Sequence, residues 1–257
     1  MRNEALVGYL LHQRPYQEKR ALYYLFSQQH GLIHGVGKKG APLFMPLQLF
    51  ATGKRDLKTF SQIGIASQHS AQPAIEKDND AAAINALPYE NITGQHQYSA
   101  LYLNEILWRL LPTEDPMPLL WQHYQNSLQQ LRQPLSADEL RLCLRQFEQY
   151  LFSELGFSLA LTHDSVQDAI EPDVSYRFLP DVGLVAVSQN NIQSEHLESA
   201  TGQSVFMGSD IMAMSQLGIT DNTLNHWSKI HRHLIDHLLD YQPLHSRLLW
   251  QQQQRYQ

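Results

Sequence analysis

Cationic side chains interleaved with aromatic rings mark the first quarter of the chain. Arg14, Lys19 and Arg20 flank one polar stretch, Lys38 and Lys39 lie in a second, and Lys54, Arg55 and Lys58 surround a third. Tyr9, Tyr16, Tyr23, Tyr24, Phe44 and Phe60 are spaced among them. Cations that follow phosphates beside π-faces that accept bases are what sequence-tolerant single-strand binding requires. Tyr9, Tyr24 and Phe60 are expected to fill the barrel core, whereas Tyr16, in a polar stretch, is the stacking candidate. Residues 1–69 hold nine basic and three acidic side chains, a net +6, while the rest of the chain holds 10 and 22, a net −12. Such asymmetry assigns a polyanion to one end and a different partner to the other.

Other motifs carry less. Gly35-Val36-Gly37-Lys38-Lys39-Gly40 spells G-x-G-x-x-G, but Pro42 and Pro46 leave no room for the helix on which a pyrophosphate would rest. Lys39 also stands where a P-loop needs Ser or Thr. His233 and His237 lie four residues apart, a spacing that suits two zinc ligands on one helical face. No Glu follows His233 as in H-E-x-x-H, and no third ligand is evident. Cys143 sits in an apolar helical stripe and reads as packing. No nucleophile elbow or carboxylate pair stands out. The expectation is a protein with no catalytic residues, no metal and no cofactor.

The elements that must position these residues follow from patterning. Ala5–His12, Ala21–Phe26, Leu32–Val36, Leu47–Thr52 and Leu57–Ile65 read as five short strands, with turns at Gln28–Gly31 and Gly53–Asp56. Five strands without an intervening helix fit a small oligonucleotide-binding (OB) barrel. Residues 67–97 lose periodicity and read as a linker with one helical turn near 80–87. Helices follow from Tyr98 to Leu111, from the Pro116–Pro118 region to Leu131, and from a capping box at Ser136 and Glu139 to a stop at Gly156. Tyr176–Leu179 and Leu184–Val187 read as a hairpin, packed on the helices through Phe178 and Val185. Further helices are expected over Asp221–Asp240 and Leu244–Gln252. The fold class is therefore α+β: a five-stranded OB-fold barrel over 1–70, a linker over 71–97, and a mostly helical domain with one small β-hairpin over 98–257. In 257 residues with 43% apolar and 17% charged side chains, no apolar run reaches the ~18 residues of a membrane span. The single cysteine excludes an internal disulfide and a thiolate zinc site. A cytoplasmic, nucleoid-associated protein without membrane contact is expected.

In order along the chain, five pieces resemble the RecO family of bacterial recombination mediators. They are the opening strands with His12-x-Arg14-Pro15-Tyr16-x-Glu18, the Leu47-Gln48-x-Phe50 and Leu57-Lys58-Thr59 hairpin, residues 100–124, residues 144–157, and Pro243-Leu244-x-Ser246-Arg247. The resemblance implies a protein that binds single- and double-stranded DNA, anneals complementary strands and works without turnover. Its implied partners are RecR, the C-terminal tail of the single-stranded DNA-binding protein SSB and, indirectly, RecA. On this reading Arg14, Tyr16, Lys19, Arg20, Lys38, Lys39, Lys54, Arg55 and Lys58 contact DNA. Many relatives carry four zinc-binding cysteines in the helical domain and a longer basic loop after Lys39; this chain has neither. An OB-fold protein acting on RNA is the alternative, and recognition of the 2′-OH separates the two.

An SSB tail ends in acidic residues and an aromatic bearing a free carboxylate, so its site needs an apolar pocket rimmed by a cation. Arg141 and Arg145 lie four residues apart beside Leu144 and Phe147. Arginine grips a carboxylate through paired hydrogen bonds while its stem lies on apolar surface. Lys229 and Arg247 are the further candidates, and Arg145→Glu is expected to weaken tail binding.

Overall fold

Period-two alternation carries the N-terminal chain through β1 (Glu4–Gln17), β2 (Arg20–Ser27), β3 (Gly31–Lys38), β4 (Pro46–Thr52) and β5 (Leu57–Ile65). These are the five expected strands, with β1 extended by the polar residues Gln13–Gln17, which pair with the start of β2. A computed structural model describes residues 1–66, 91–187 and 204–255; the linker interior and its expected helical turn lie outside them. The strands form a closed barrel in the order β1-β2-β3-β5-β4. Parallel pairing of β3 with β5, from His34 opposite Leu57 to Val36 opposite Thr59, makes the closure. Leu6, Leu10, Tyr23, Leu25, Ile33, Leu47, Leu49 and Phe60 fill the interior. A Cβ at Gly35 would collide with the Phe60 ring. Gly35 of the G-x-G-x-x-G string thus makes room for a core aromatic.

The chain divides into two compact units, 1–134 with 244–257, and 135–243. The first contains the barrel together with α1 (Gln95–Leu110), α2 (Pro118–Leu131) and α6 (His245–Arg255). Sequence reading had grouped those three helices with the helical domain. Backbone chemistry explains the difference. A bulge in β1 between Leu10 and His12 breaks the β2 register, and the buried Asn104 amide of α1 donates to the carbonyls of Leu10 (3.2 Å) and Leu11 (3.1 Å). Asn104 in turn accepts from the Tyr124 hydroxyl of α2 at 2.5 Å. Burial holds the Tyr124 phenol well above its ordinary pKa, so it remains a donor. Glu105, the next residue on α1, accepts from the backbone amides of His245 (2.9 Å) and Ser246 (2.8 Å). A carboxylate at the first turn of α6 satisfies free amides and complements the helix dipole.

In the second unit the predicted capping box is present: Ser136 Oγ accepts from the Glu139 amide at 3.3 Å, and Glu139 accepts from the Ser136 amide at 2.8 Å. It starts α3 (Ala137–Glu154), and Gly156 follows with φ 82°. The hairpin of β6 (Ser175–Leu179) and β7 (Gly183–Ala186) gains a third strand, β8 (Val205–Met207), on the other side of β6. β8 leads into α4 (Gly208–Leu217), and α5 (Leu224–Leu238) follows. Neither β8 nor α4 was expected, because a three-residue strand has too few alternations to register. Leu184, paired with Phe178, is buried with it; Val185 is only half-buried, one residue out of the expected phase.

The network at Asn104 predicts a specific stability loss. Asn104→Leu retains side-chain volume but removes an acceptor from the Tyr124 hydroxyl and a donor from two buried carbonyls. The expected cost is about 2–4 kcal/mol, read as a lower urea midpoint for the full chain; an unchanged midpoint would contradict this role.

Candidate nucleic-acid interface

Strand directions sort the loops of the barrel. The β1–β2 turn and β3–β4 loop lie at one end, and the β2–β3 and β4–β5 turns at the other. At the first end Arg20 stands opposite Lys38 in register. The Lys39 amide donates to the Lys19 carbonyl at 3.1 Å, and Lys39 Nζ to the Glu18 carbonyl at 2.9 Å. Lys19, Arg20, Lys38 and Lys39 therefore share one patch, with Arg14 and Tyr16 on the same hairpin. A groove of about 450 Å³ opens beside it, between Lys38–Pro42 and Phe60–Ile65. Four like charges held together favour an anionic partner, because neutralising them releases condensed counterions from a phosphate backbone.

Three other expected contacts fall elsewhere. Lys54 and Arg55 are exposed in the β4–β5 turn at the opposite end, where the Met1 amine donates to the Gly53 carbonyl at 3.0 Å. Lys58 is 5% exposed, donates to the Arg55 carbonyl at 2.7 Å, and is ion-paired with Glu114. The Lys58 hydrogen bond lowers the Glu114 pKa. Lys58, expected on DNA, is here buried with its charge engaged in fixing the α1–α2 loop to β5.

Of the aromatics, Phe60 lies in the barrel core as expected, Tyr9 is buried outside it against Trp121 and Tyr124 of α2, and Tyr23 points inward with its hydroxyl donating to the Lys38 carbonyl at 2.6 Å. Tyr16 is 55% exposed. Tyr24 departs from expectation. It points away from the barrel interior and joins a row across three strands, with His12 of β1 opposite Tyr24 and Tyr24 opposite His34 of β3. Trp108 of α1 stacks on His12 at 4.7 Å and 14°, and contacts Tyr24 at 5.2 Å. The Arg14 guanidinium lies 5.6 Å from the Tyr24 centroid and 5.7 Å from that of Trp108. Sequence reading gave no role to His12, His34 or Trp108; for His12 the signal was its place in the His12-x-Arg14 pattern, and His34 and Trp108 had none.

In the second unit, Arg145 pairs with Glu148 at 2.6 Å. Glu148 is fully buried and also accepts from His231 Nδ1 at 3.0 Å. Burial lowers the His231 pKa despite the opposing pull of Glu148. A neutral ring then donates from Nδ1, and Nε2 is left buried without a hydrogen bond. Arg141 bonds Asp138 at 3.1 Å and Asn225 at 2.6 Å. Leu144 is half-buried, Phe147 is buried and Lys229 is exposed. Arg247 belongs to the first unit, over the Tyr102 ring at 5.7 Å. A cavity of about 200 Å³ in the second unit is lined by Gln149, Phe152, Ser153, Phe157, Ser158, Leu159, Trp227 and His231. His237, half of the zinc-like pair, bonds Asp181 at 3.0 Å, while the His233 ring meets Phe178 edge-on. Among the described residues no group of three or more His, Cys, Asp or Glu side chains is placed to hold a metal ion. Among them, too, no helix is long and apolar enough to cross a membrane.

Comparison with known proteins adds a family. The family described as "Recombination protein O C terminal" matches residues 93–248. A DNA repair protein RecO from Pseudomonas paraeruginosa is 36% identical over 191 residues, 72% of each chain. One from Pseudomonas aeruginosa is 33% identical over 217 residues, 82% of this chain and 78% of the relative. A third, from Coxiella burnetii, is 28% identical over 254 residues, 94% and 95% of the two chains.

The buried histidine gives a pH prediction. A folded-state pKa lowered below the ordinary value of about 6.5 means that the unfolded chain binds the proton more readily. The stability from neutral His231 is complete above about pH 6.5 and is lost as pH falls toward the lowered value. His12, His34 and His233 are shifted the same way, each mainly by burial. The melting temperature should therefore fall between about pH 7.5 and about pH 5.5, and His231→Gln should reduce that slope; an equal slope in the variant would contradict the assignment.

Proposed function

This chain belongs to the RecO family of DNA repair proteins, and from that premise we propose that it binds single- and double-stranded DNA at the basic end of its barrel and anneals complementary strands without catalytic turnover. We place the contacts on Arg14, Tyr16, Lys19, Arg20, Lys38 and Lys39, with Lys54 and Arg55 forming a second, separate point of attachment. One observation carries the reading: four cations from two loops converge beside an open groove on an OB-type barrel. Such barrels commonly bind oligonucleotides on loops and strand faces of this kind. The proposal extends to the SSB tail, to RecR and, through them, to loading of RecA on coated strands.

The tail reading takes a particular form in the second unit. The terminal aromatic enters the cavity bounded by Phe152, Phe157, Leu159 and Trp227, and cations of the same unit, the half-buried Arg141 and the exposed Lys229, meet the acidic residues. Arg145 supports the site through Glu148, because a guanidinium paired with a buried carboxylate already has its charge balanced. Arg145→Glu would set two carboxylates together and disturb the unit, so it is a poor probe of binding.

Two measurements test the proposal. Log affinity for an oligonucleotide should fall steeply with log salt, and replacing Lys38 and Lys39 with alanine should lower that slope by about 2; an unchanged slope would place the strand elsewhere. Complementary oligonucleotides coated with SSB should anneal without ATP or metal. Ser153→Phe, which fills the cavity, should slow annealing of coated strands by about tenfold or more and leave naked strands unaffected. Equal rates on coated strands would remove the tail from this cavity.

A further inference from the structure

The row of rings outside β1, β2 and β3 is more than packing. Its members come from four elements, and it ends at the exposed side chain of Arg14, for which no carboxylate partner is present among the described residues; its nearest polar contact is His12 Nε2, at 3.5 Å. A cation held over two ring faces but not neutralised is a planar surface still able to take an anion. Burial keeps His12 and His34 below their ordinary pKa, so near neutral pH their rings are uncharged π-surfaces. Trp108 and Tyr24 are half-exposed. Two residues beyond Arg14, at the second irregularity of β1, Tyr16 presents another exposed ring, and Lys19, Arg20, Lys38 and Lys39 continue the positive charge.

We propose that Arg14, Trp108 and Tyr24, supported from beneath by His12 and His34, form a stacking platform that takes an unpaired base of single-stranded DNA on the Arg14 face. This rests on the single-strand reading above and adds what that reading lacks, a contact to bases. The guanidinium has two roles. Its plane stacks on the base, and its charge meets the adjoining phosphate. The basic patch alone would grip any phosphodiester chain, whereas the platform distinguishes a strand with free bases from one without them. Base pairing would hide those faces, so the platform also favours single strands over duplex.

The test compares a thymidine oligonucleotide with an abasic chain of equal length and charge, titrated against the full-length protein. Wild type should prefer the base-bearing strand by about fivefold to tenfold, the scale of a single stacked base. Arg14→Lys keeps the charge and removes the plane. It should abolish the preference, read as the ratio of the two affinities within the same variant. Trp108→Leu should do the same, with a melting curve to confirm that it folds. Equal binding of the two strands by wild type, or full preference in both variants, would overturn the platform and leave phosphate binding intact. Failure of wild type to bind either strand at low salt would overturn the single-strand reading and the platform with it.

Discussion

A bulge in one strand governs the first unit. Where β1 departs from its register with β2 after Leu10, the carbonyls of Leu10 and Leu11 need donors in a place that water does not reach. An orphaned carbonyl there would cost about 1–3 kcal/mol. Asn104 supplies both bonds from a single amide, and Tyr124 holds that amide in orientation. Because Asn104 is fixed against β1, Trp108, one helical turn further along α1, comes to lie on His12. Glu105 on the same turn receives the N-terminus of α6. The bulge thus determines which helices belong with the barrel and which ring lies on its outer face.

Charge is distributed by a related logic. Cations exposed at one end of the barrel remain near one another because each loop is tied to its neighbour through backbone atoms, as between Lys39 and Glu18, and not through carboxylates. Lys58 shows the contrasting case, a lysine beside the same strands whose charge is neutralised by Glu114 and whose role is structural. In the second unit the principal charges are buried. Glu148 is balanced by Arg145 and oriented by a neutral His231, an arrangement whose removal from one side would leave an uncompensated charge.

Much of this was legible in the sequence. The five strands, the capping box at Ser136 and the stop at Gly156 followed from period-two alternation and local capping chemistry, which need only neighbouring residues. The convergence of Lys19 and Arg20 with Lys38 and Lys39, apart from Lys54 and Arg55, came from strand pairing and was not drawn from the sequence. What escaped depended on contacts distant in sequence. Nothing near Asn104 reveals that its partners lie more than 90 residues earlier. Lys58 looked like its exposed neighbours because Glu114 lies on a distant loop. Tyr24 and Tyr23 are adjacent aromatics, and only the strand's phase decides which enters the core. Trp108 carried no signal of its own, and its role became visible once β1 lay beside it.

The central claim is that a single strand lies across the β1–β2 hairpin and the β3–β4 loop. Amide hydrogen exchange of the full chain, with and without a saturating oligonucleotide, tests it most directly. The account predicts new protection over Arg14–Arg20 and Lys38–Ala41, with little change in the β4–β5 turn and none in α3 or α5. Protection confined to the β4–β5 turn, or appearing first in the second unit, would contradict it.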